Sequence, residues 1–127
     1  MQSTAAGRVL VVDDDPDIRS FVTLALAMEG YAVREAEDGR DALAVLSAWR
    51  PDLILLDLMM PGMDGRAFRE RQRSAPELAA IPVVMMSAAH ALMAARAALQ
   101  PSATLATPFG LDELAAAVRG CARARAA

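Results

Sequence analysis

Two apolar runs in this chain end in acid: Val9-Leu10-Val11-Val12 leads into Asp13-Asp14-Asp15, and Leu53-Ile54-Leu55-Leu56 leads into Asp57. If both runs are strands of one parallel sheet, their carboxyl ends point the same way, and the acids converge in the crevice where such sheets bind ligands. Two like charges about 4 Å apart repel by roughly 4 kcal/mol at an effective dielectric near 20, and a third acid worsens the repulsion. A cluster of Asp13, Asp14 and Asp57 therefore calls for a divalent cation. With one cysteine, Cys121, and one histidine, His90, the chain cannot assemble a zinc cluster of the usual kind, so the ligands must be oxygens. Asp15 precedes Pro16 and reads instead as a helix N-cap.

The elements that must position these acids are legible in the patterning. Arg8 to Val12 predicts a first strand; Ile18, Phe21, Val22, Ala25 and Met28 fall at helical spacing behind Pro16, and Gly30 closes that helix. Tyr31 to Ala36 alternates apolar and polar residues, as an edge strand does. Asp38-Gly39 opens a helix with Ala42, Val45, Leu46 and Trp49 on one face, stopped by Pro51. A third strand covers Asp52 to Asp57. After it comes a Pro-Gly-Met-Asp-Gly loop, in which Asp64-Gly65 reads as turn chemistry, and then a short polar helix near Arg66 to Arg73 with little apolar surface beyond Phe68. Ile81 to Ser87 is continuously apolar up to its hydroxyl, the mark of a strand buried on both faces. A helix from Ala89 to Leu99, a weak strand from Ala103 to Ala106 and a last helix from Leu111, burying Leu114, Ala115 and Val118, complete the series. Five such alternations predict a doubly wound α/β fold.

At 127 residues the chain makes one ordinary domain, expected to span 1–127 with a core over about 8–119 and flexible ends at 1–7 and about 120–127. No apolar segment approaches the roughly 20 residues that cross a bilayer, so membrane insertion is not expected. The amino terminus has no positively charged start followed by a separate apolar stretch, which gives a cytoplasmic expectation. Arg119, Arg123 and Arg125 suit the negative end of the last helix and are too few to argue for direct nucleic-acid binding. A dinucleotide site is disfavoured because the first strand runs into Asp-Asp-Asp-Pro rather than a glycine-rich turn.

Taken in order and at their spacings, Val11-Val12-Asp13-Asp14-Asp15, Leu55-Leu56-Asp57 with Met60-Pro61-Gly62-Met63-Asp64-Gly65, Ser87-Ala88 and Pro108-Phe109 resemble the receiver domain of two-component response regulators, from Arg8 to about Arg119. The resemblance implies a flavodoxin-like, five-stranded parallel sheet of order 2-1-3-4-5 with helices on both faces. It implies that Asp57 accepts a phosphoryl group from a histidine kinase or histidine phosphotransfer protein, forming an aspartyl phosphate that later hydrolyses. It further implies that Asp13, Asp14, Asp57 and the backbone carbonyl of Met59 hold Mg2+, with Mn2+ the alternative, and that Ser87 hydrogen-bonds the phosphoryl group. Output would pass to a downstream protein through the face made by the helix at 89–99, the strand at 103–106 and the last helix, with a homodimer one form of such contact. Enzymatic turnover beyond self-phosphorylation and self-dephosphorylation is not expected, since enzymes working through aspartyl phosphate need a proton-donating acid two residues after the nucleophile, and that position is Met59.

Three departures fall in one region. Thr107 stands where the family places a lysine before the Pro-Phe pair, and all thirteen basic residues are arginine, so no neighbouring lysine takes the role. Losing a charge-assisted hydrogen bond of about 1.5–3 kcal/mol weakens the coupling roughly ten- to 150-fold. Thr104 replaces the family's inward-turning aromatic residue, and the interval from Ser87 to Thr107 is shorter than usual, predicting a shortened or displaced helix at 89–99. Arg96 on that helix offers a charge, but its planar fork is no substitute for an ammonium point charge. A second reading therefore stands beside the first: a receiver-like interaction module that binds independently of phosphorylation.

Overall fold

The computed structural model describes the backbone of residues 7–126 and the side chains as far as Cys121. The strands are β1 (Gly7–Val12), β2 (Tyr31–Ala36), β3 (Leu53–Asp57), β4 (Val83–Ser87) and β5 (Ala103–Ala106); the helices are α1 (Pro16–Met28), α2 (Gly39–Leu46), α3 (Gly65–Ser74), the single turn α4 (Pro76–Ala79), α5 (Ala89–Leu99) and α6 (Leu111–Ala126). Every strand pairing is parallel, in the order β2-β1-β3-β4-β5, so β2 is an edge strand as its alternation predicts.

Alternation along each strand divides the core between two faces. Leu10, Val12, Ile54, Leu56, Val83 and Met85 pack with residues of α2, α3 and α5, while Val9, Val11, Leu53, Leu55, Val84 and Met86 pack with residues of α1 and α6. Both faces of the central strands are covered, which is why their sequences read as unbroken apolar runs. The register sets Val12 beside Leu56 and Asp57 beside Met86. Neighbouring strands lie about 4.8 Å apart, so the acids that follow Val12 and Leu56 emerge side by side, with Ser87 one step beyond on β4.

Four details differ from the sequence expectations. The inward stripe of α1 is Val22 and Leu26, flanked by the half-buried Ile18 and Ala25, whereas Phe21 (44% exposed) and Met28 (79% exposed) face outward, displaced from that stripe by the helical turn. The helix α6 continues to Ala126 and buries Cys121 against the same face as Leu114 and Val118, so 120–126 are helical where a loose end was expected; the other expected ends, 1–6 and 127, lie outside the described residues. Ala115 is only half-buried. The turn α4, opened by Pro76, carries no periodicity long enough to predict.

The polar helix α3 is secured in an unexpected way. Besides Phe68 it buries Arg69 and Gln72. The Arg69 guanidinium donates from Nε to the Leu99 carbonyl (2.9 Å), from Nη2 to the Gln100 carbonyl (2.8 Å) and from Nη1 to Gln72 Oε1 (2.7 Å). Gln72 in turn donates to the carbonyls of Leu78 (2.9 Å) and Ile81 (3.0 Å). Arg73 adds a bond from Nη1 to the Ala98 carbonyl (2.7 Å). The last carbonyls of α5 have no partners within their own helix and form the negative end of its dipole, so they take a buried cation in place of a carboxylate. Gln100, with φ of 46°, supplies the left-handed residue that ends α5. Burial, and then the charge of neighbouring Arg73, pull the Arg69 pKa down.

Replacing Arg69 with alanine leaves Gln72 and two helix-end carbonyls without this donor and is expected to cost about 2–4 kcal/mol. Urea denaturation of the metal-free domain measures this. A loss below about 0.5 kcal/mol, the usual surface effect, would mean that the network contributes nothing.

Candidate functional site

Asp13 follows β1 directly and is 3% exposed. Its backbone N–H donates to the Ala36 carbonyl (3.1 Å), and its Oδ1 accepts the Asp15 N–H (2.9 Å). Asp57, half-buried at the end of β3, accepts the Met59 N–H on Oδ1 (3.1 Å). These backbone bonds aim the side chains inward, and carboxylate oxygens of Asp13, Asp14 and Asp57 come within 4.8 Å of one another. Asp13, Asp57, Met59, Ser87 and Thr107 line one cavity of about 270 Å³, walled by Ile18, Met86 and Phe109. Thr107 is held beside Ser87 by donating its N–H to the Ser87 carbonyl (2.8 Å). A larger cleft of about 550 Å³ opens at the other end of the sheet, beside Ile81-Pro82 and α6, with no acid among its described lining residues.

The loops that hold the cavity follow their local sequence. Asp15 caps α1 by accepting the N–H of Asp17 (2.9 Å), and Asp64 caps α3 by accepting that of Ala67 (2.9 Å). Gly62, with φ of +72°, provides the left-handed turn residue of the loop. Gly65 is needed for a different reason from the turn angle expected of it. Its N–H donates to the Leu58 carbonyl (3.1 Å), and a Cβ there would collide with the carbonyl oxygen of Asp57 and lie 2.7 Å from Leu58 Cα. The start of α3 therefore rests directly on the backbone that carries Asp57.

Burial raises the pKa of Asp57 to about 7, with the charges of Asp13 and Asp14 pushing the same way against the stabilising Met59 N–H. Asp13 is raised as well, first by burial and then by the charge of Asp14, against the Asp15 N–H. Among the described residues no arginine forms an ion pair with any of the three carboxylates. Arg96 sits exposed in the last turn of α5 and is not among the residues lining the cavity. Thr104 is half-buried beside Met85, and His90 is exposed at the start of α5. Trp49 lies at the opposite end of the sheet, its ring 5.6 Å from Arg8 Cζ and 5.2 Å from Arg34 Cζ, too remote to sense the cavity directly.

Sequence reasoning passed over Arg19, whose Nη1 donates to the Asp13 carbonyl (2.7 Å) and whose Nε meets Glu35 Oε1 (3.0 Å). The available signal was a basic residue one turn past the Asp15 cap, facing an acid on the strand paired with β1.

The titration of Asp57 fixes the sign of a pH effect. Its folded pKa lies above the ordinary value near 4, so the protonated form is favoured by folding, and that contribution is lost as pH rises through about 7. Discounted for solvent screening at a half-exposed group, the loss is about 1 kcal/mol, or roughly 3–5 °C in Tm for a domain of this size. The metal-free protein should thus melt lower at pH 8 than at pH 5, and Asp57→Asn should flatten that difference. Calorimetry in chelator provides the check; equal pH slopes for the two proteins would refute the assignment.

Comparison with known proteins places this geometry. The response regulator receiver domain model matches residues 9–119. The response regulator MprA of Mycolicibacterium vanbaalenii is 37% identical over 91% of this chain and 50% of its own length, and the DNA-binding dual master transcriptional regulator RpaA of Synechocystis is 38% identical over 91% and 49%. The chain thus spans about half the length of these curated relatives. Among solved structures, the signal receiver domain of a histidine kinase from Syntrophus aciditrophicus superposes with a TM-score of 0.86 at 28% identity, covering 93% of this chain and 91% of that one. The chemotaxis response regulator CheY4 of Vibrio cholerae does so with 0.84 at 31% identity, covering 90% and 97%. This chain belongs to the receiver domains of two-component response regulators.

Proposed function

We propose that the domain accepts a phosphoryl group on Asp57 from a histidine kinase or histidine phosphotransfer protein and signals through protein contacts, in the cytoplasm. The observation that carries this reading is the convergence of three carboxylates within 4.8 Å at a cavity that Ser87 also lines. With Oδ1 of Asp57 engaged by Met59, Oδ2 is the oxygen left to attack phosphorus; the P–N bond of the phosphohistidine breaks and its electron pair returns to the imidazole. The Ser87 hydroxyl then hydrogen-bonds the transferred group. Asp13, Asp14, Asp57 and the Met59 carbonyl would hold Mg2+ or Mn2+, a fit supported by a donor set made only of hard oxygens. The ion, when bound, neutralises charge on the phosphoryl oxygens.

An apolar groove of about 350 Å³, formed by Ile18, Phe21, Pro108 and Phe109 beside Thr107, adjoins the cavity and suits a helix of the phosphodonor protein. The face of α5, β5 and α6 is the proposed exit for the signal, to a target or to a second copy of the chain.

A second reading is favoured by one observation: Thr107 lines the cavity and carries no charge there. On that reading the acids are retained for their shape and the domain binds partners whether or not Asp57 is modified.

Incubation with a small acyl phosphate and magnesium separates the two. The first reading expects one added phosphoryl group by intact mass, absent from Asp57→Asn; an unmodified wild-type protein that still binds its partner sustains the second. Restoring the ammonium with Thr107→Lys should tighten beryllofluoride binding in magnesium about tenfold or more. Unchanged affinity would show that Thr107 does not reach the bound group.

A further inference from the structure

The tie between α1, the end of β1 and the edge strand assigns a role to a residue outside the cavity. We propose that Arg19, balanced by Glu35, is the positioning residue that holds the Asp13 backbone so that the acidic cradle is already shaped for a divalent cation; this rests on the metal-binding reading of Asp13, Asp14 and Asp57.

Asp13 is held on both sides of its backbone. Its N–H bonds the Ala36 carbonyl of β2, and its carbonyl receives a short charge-assisted bond of 2.7 Å from Arg19. The carboxylate is fixed in turn, because Oδ1 accepts the Asp15 N–H at 2.9 Å, leaving Oδ2 for the cradle. Arg19 cannot drift from this duty. Its helix starts at Pro16 under the Asp15 cap, and its Nε is held by Glu35 at 3.0 Å, with the arginine side chain 19% exposed. Glu35 reaches it because β2 pairs with β1 in a register that sets Glu35 beside Val11, two residues before Asp13.

The pairing also solves an electrostatic problem. A bare guanidinium beside a cation site opposes the incoming ion, whereas Glu35 offsets that charge and leaves the hydrogen bond to Asp13 in place. Arg19 takes up one side of the Asp13 carbonyl, and the Met59 carbonyl remains the backbone ligand proposed for an ion.

The test uses the full chain and magnesium chloride alone. Arg19→Gln is expected to weaken magnesium binding about tenfold, the lower range for removing a group that orients a metal ligand, while the urea midpoint of the metal-free protein moves little. Arg19→Lys, able to satisfy one partner but not both, should fall between. Glu35→Gln should weaken binding less, and more at low than at high ionic strength. In the metal-free state, exchange of the Asp15 amide should quicken in Arg19→Gln, since the Oδ1 that it bonds is less fixed. A wild-type protein that binds no magnesium at millimolar concentration removes the metal site and this role together. If the wild type binds and Arg19→Gln binds equally well, the metal site stands and the role of Arg19 falls. A lowered urea midpoint with unaltered affinity likewise reduces Arg19 to a stabilising residue and overturns the proposal.

Discussion

Mutual repulsion among three carboxylates is the constraint around which this molecule is arranged. Strand register sets Asp13, Asp14 and Asp57 side by side, with carboxylate oxygens within 4.8 Å of one another, and no described arginine forms an ion pair with them. The metal-free fold meets that cost by holding the acids with backbone N–H groups of Asp15 and Met59 and by favouring protonation of Asp57. Such a site gains from any positive charge that arrives. The rigidity of the two-faced sheet keeps the carboxylates from relaxing apart.

Most of this arrangement was legible in the chain. Unbroken apolar runs ending in acid identified central strands of a parallel sheet and the end at which chemistry gathers, because only a strand covered on both faces dispenses with polar alternation. The Asp15-Pro16 and Asp38-Gly39 pairs marked helix starts that the structure retains, with caps on the N–H groups of Asp17 and Asp41. What escaped were interactions between elements far apart in sequence. Nothing local distinguishes Arg69 or Gln72 from solvent-facing residues of a polar helix; the burial of Arg69 follows from the end of α5, thirty residues on, needing donors, and that of Gln72 from the carbonyls of Leu78 and Ile81 and its bond to Arg69. Phe21 and Met28 misled for the converse reason, since an apolar residue at near-helical spacing still faces outward when the stripe lies a fraction of a turn away. Gly65 resembled a turn residue, and only the packed backbone reveals that it is a contact residue.

The sides of the cavity differ in charge. The floor, built from the ends of β1 and β3, keeps its acids, and Ser87 closes β4 as expected. The wall contributed after β5 carries no cation: Thr107 lines it, while Thr104, paired with Met85, and Arg96, in the last turn of α5, are not among the residues lining the cavity.

The grip of α3 on the end of α5 fixes one end of that helix. Arg69 and Arg73 fasten Ala98, Leu99 and Gln100, while Gly65 seats the other end of α3 against the strand that carries Asp57. The head of α5 begins at Ala89, two residues past Ser87, and Leu92 and Ala95 bury its inner side in the core. Any rigid-body displacement of α5 that keeps the bonds at its tail must pivot there and work against that packing.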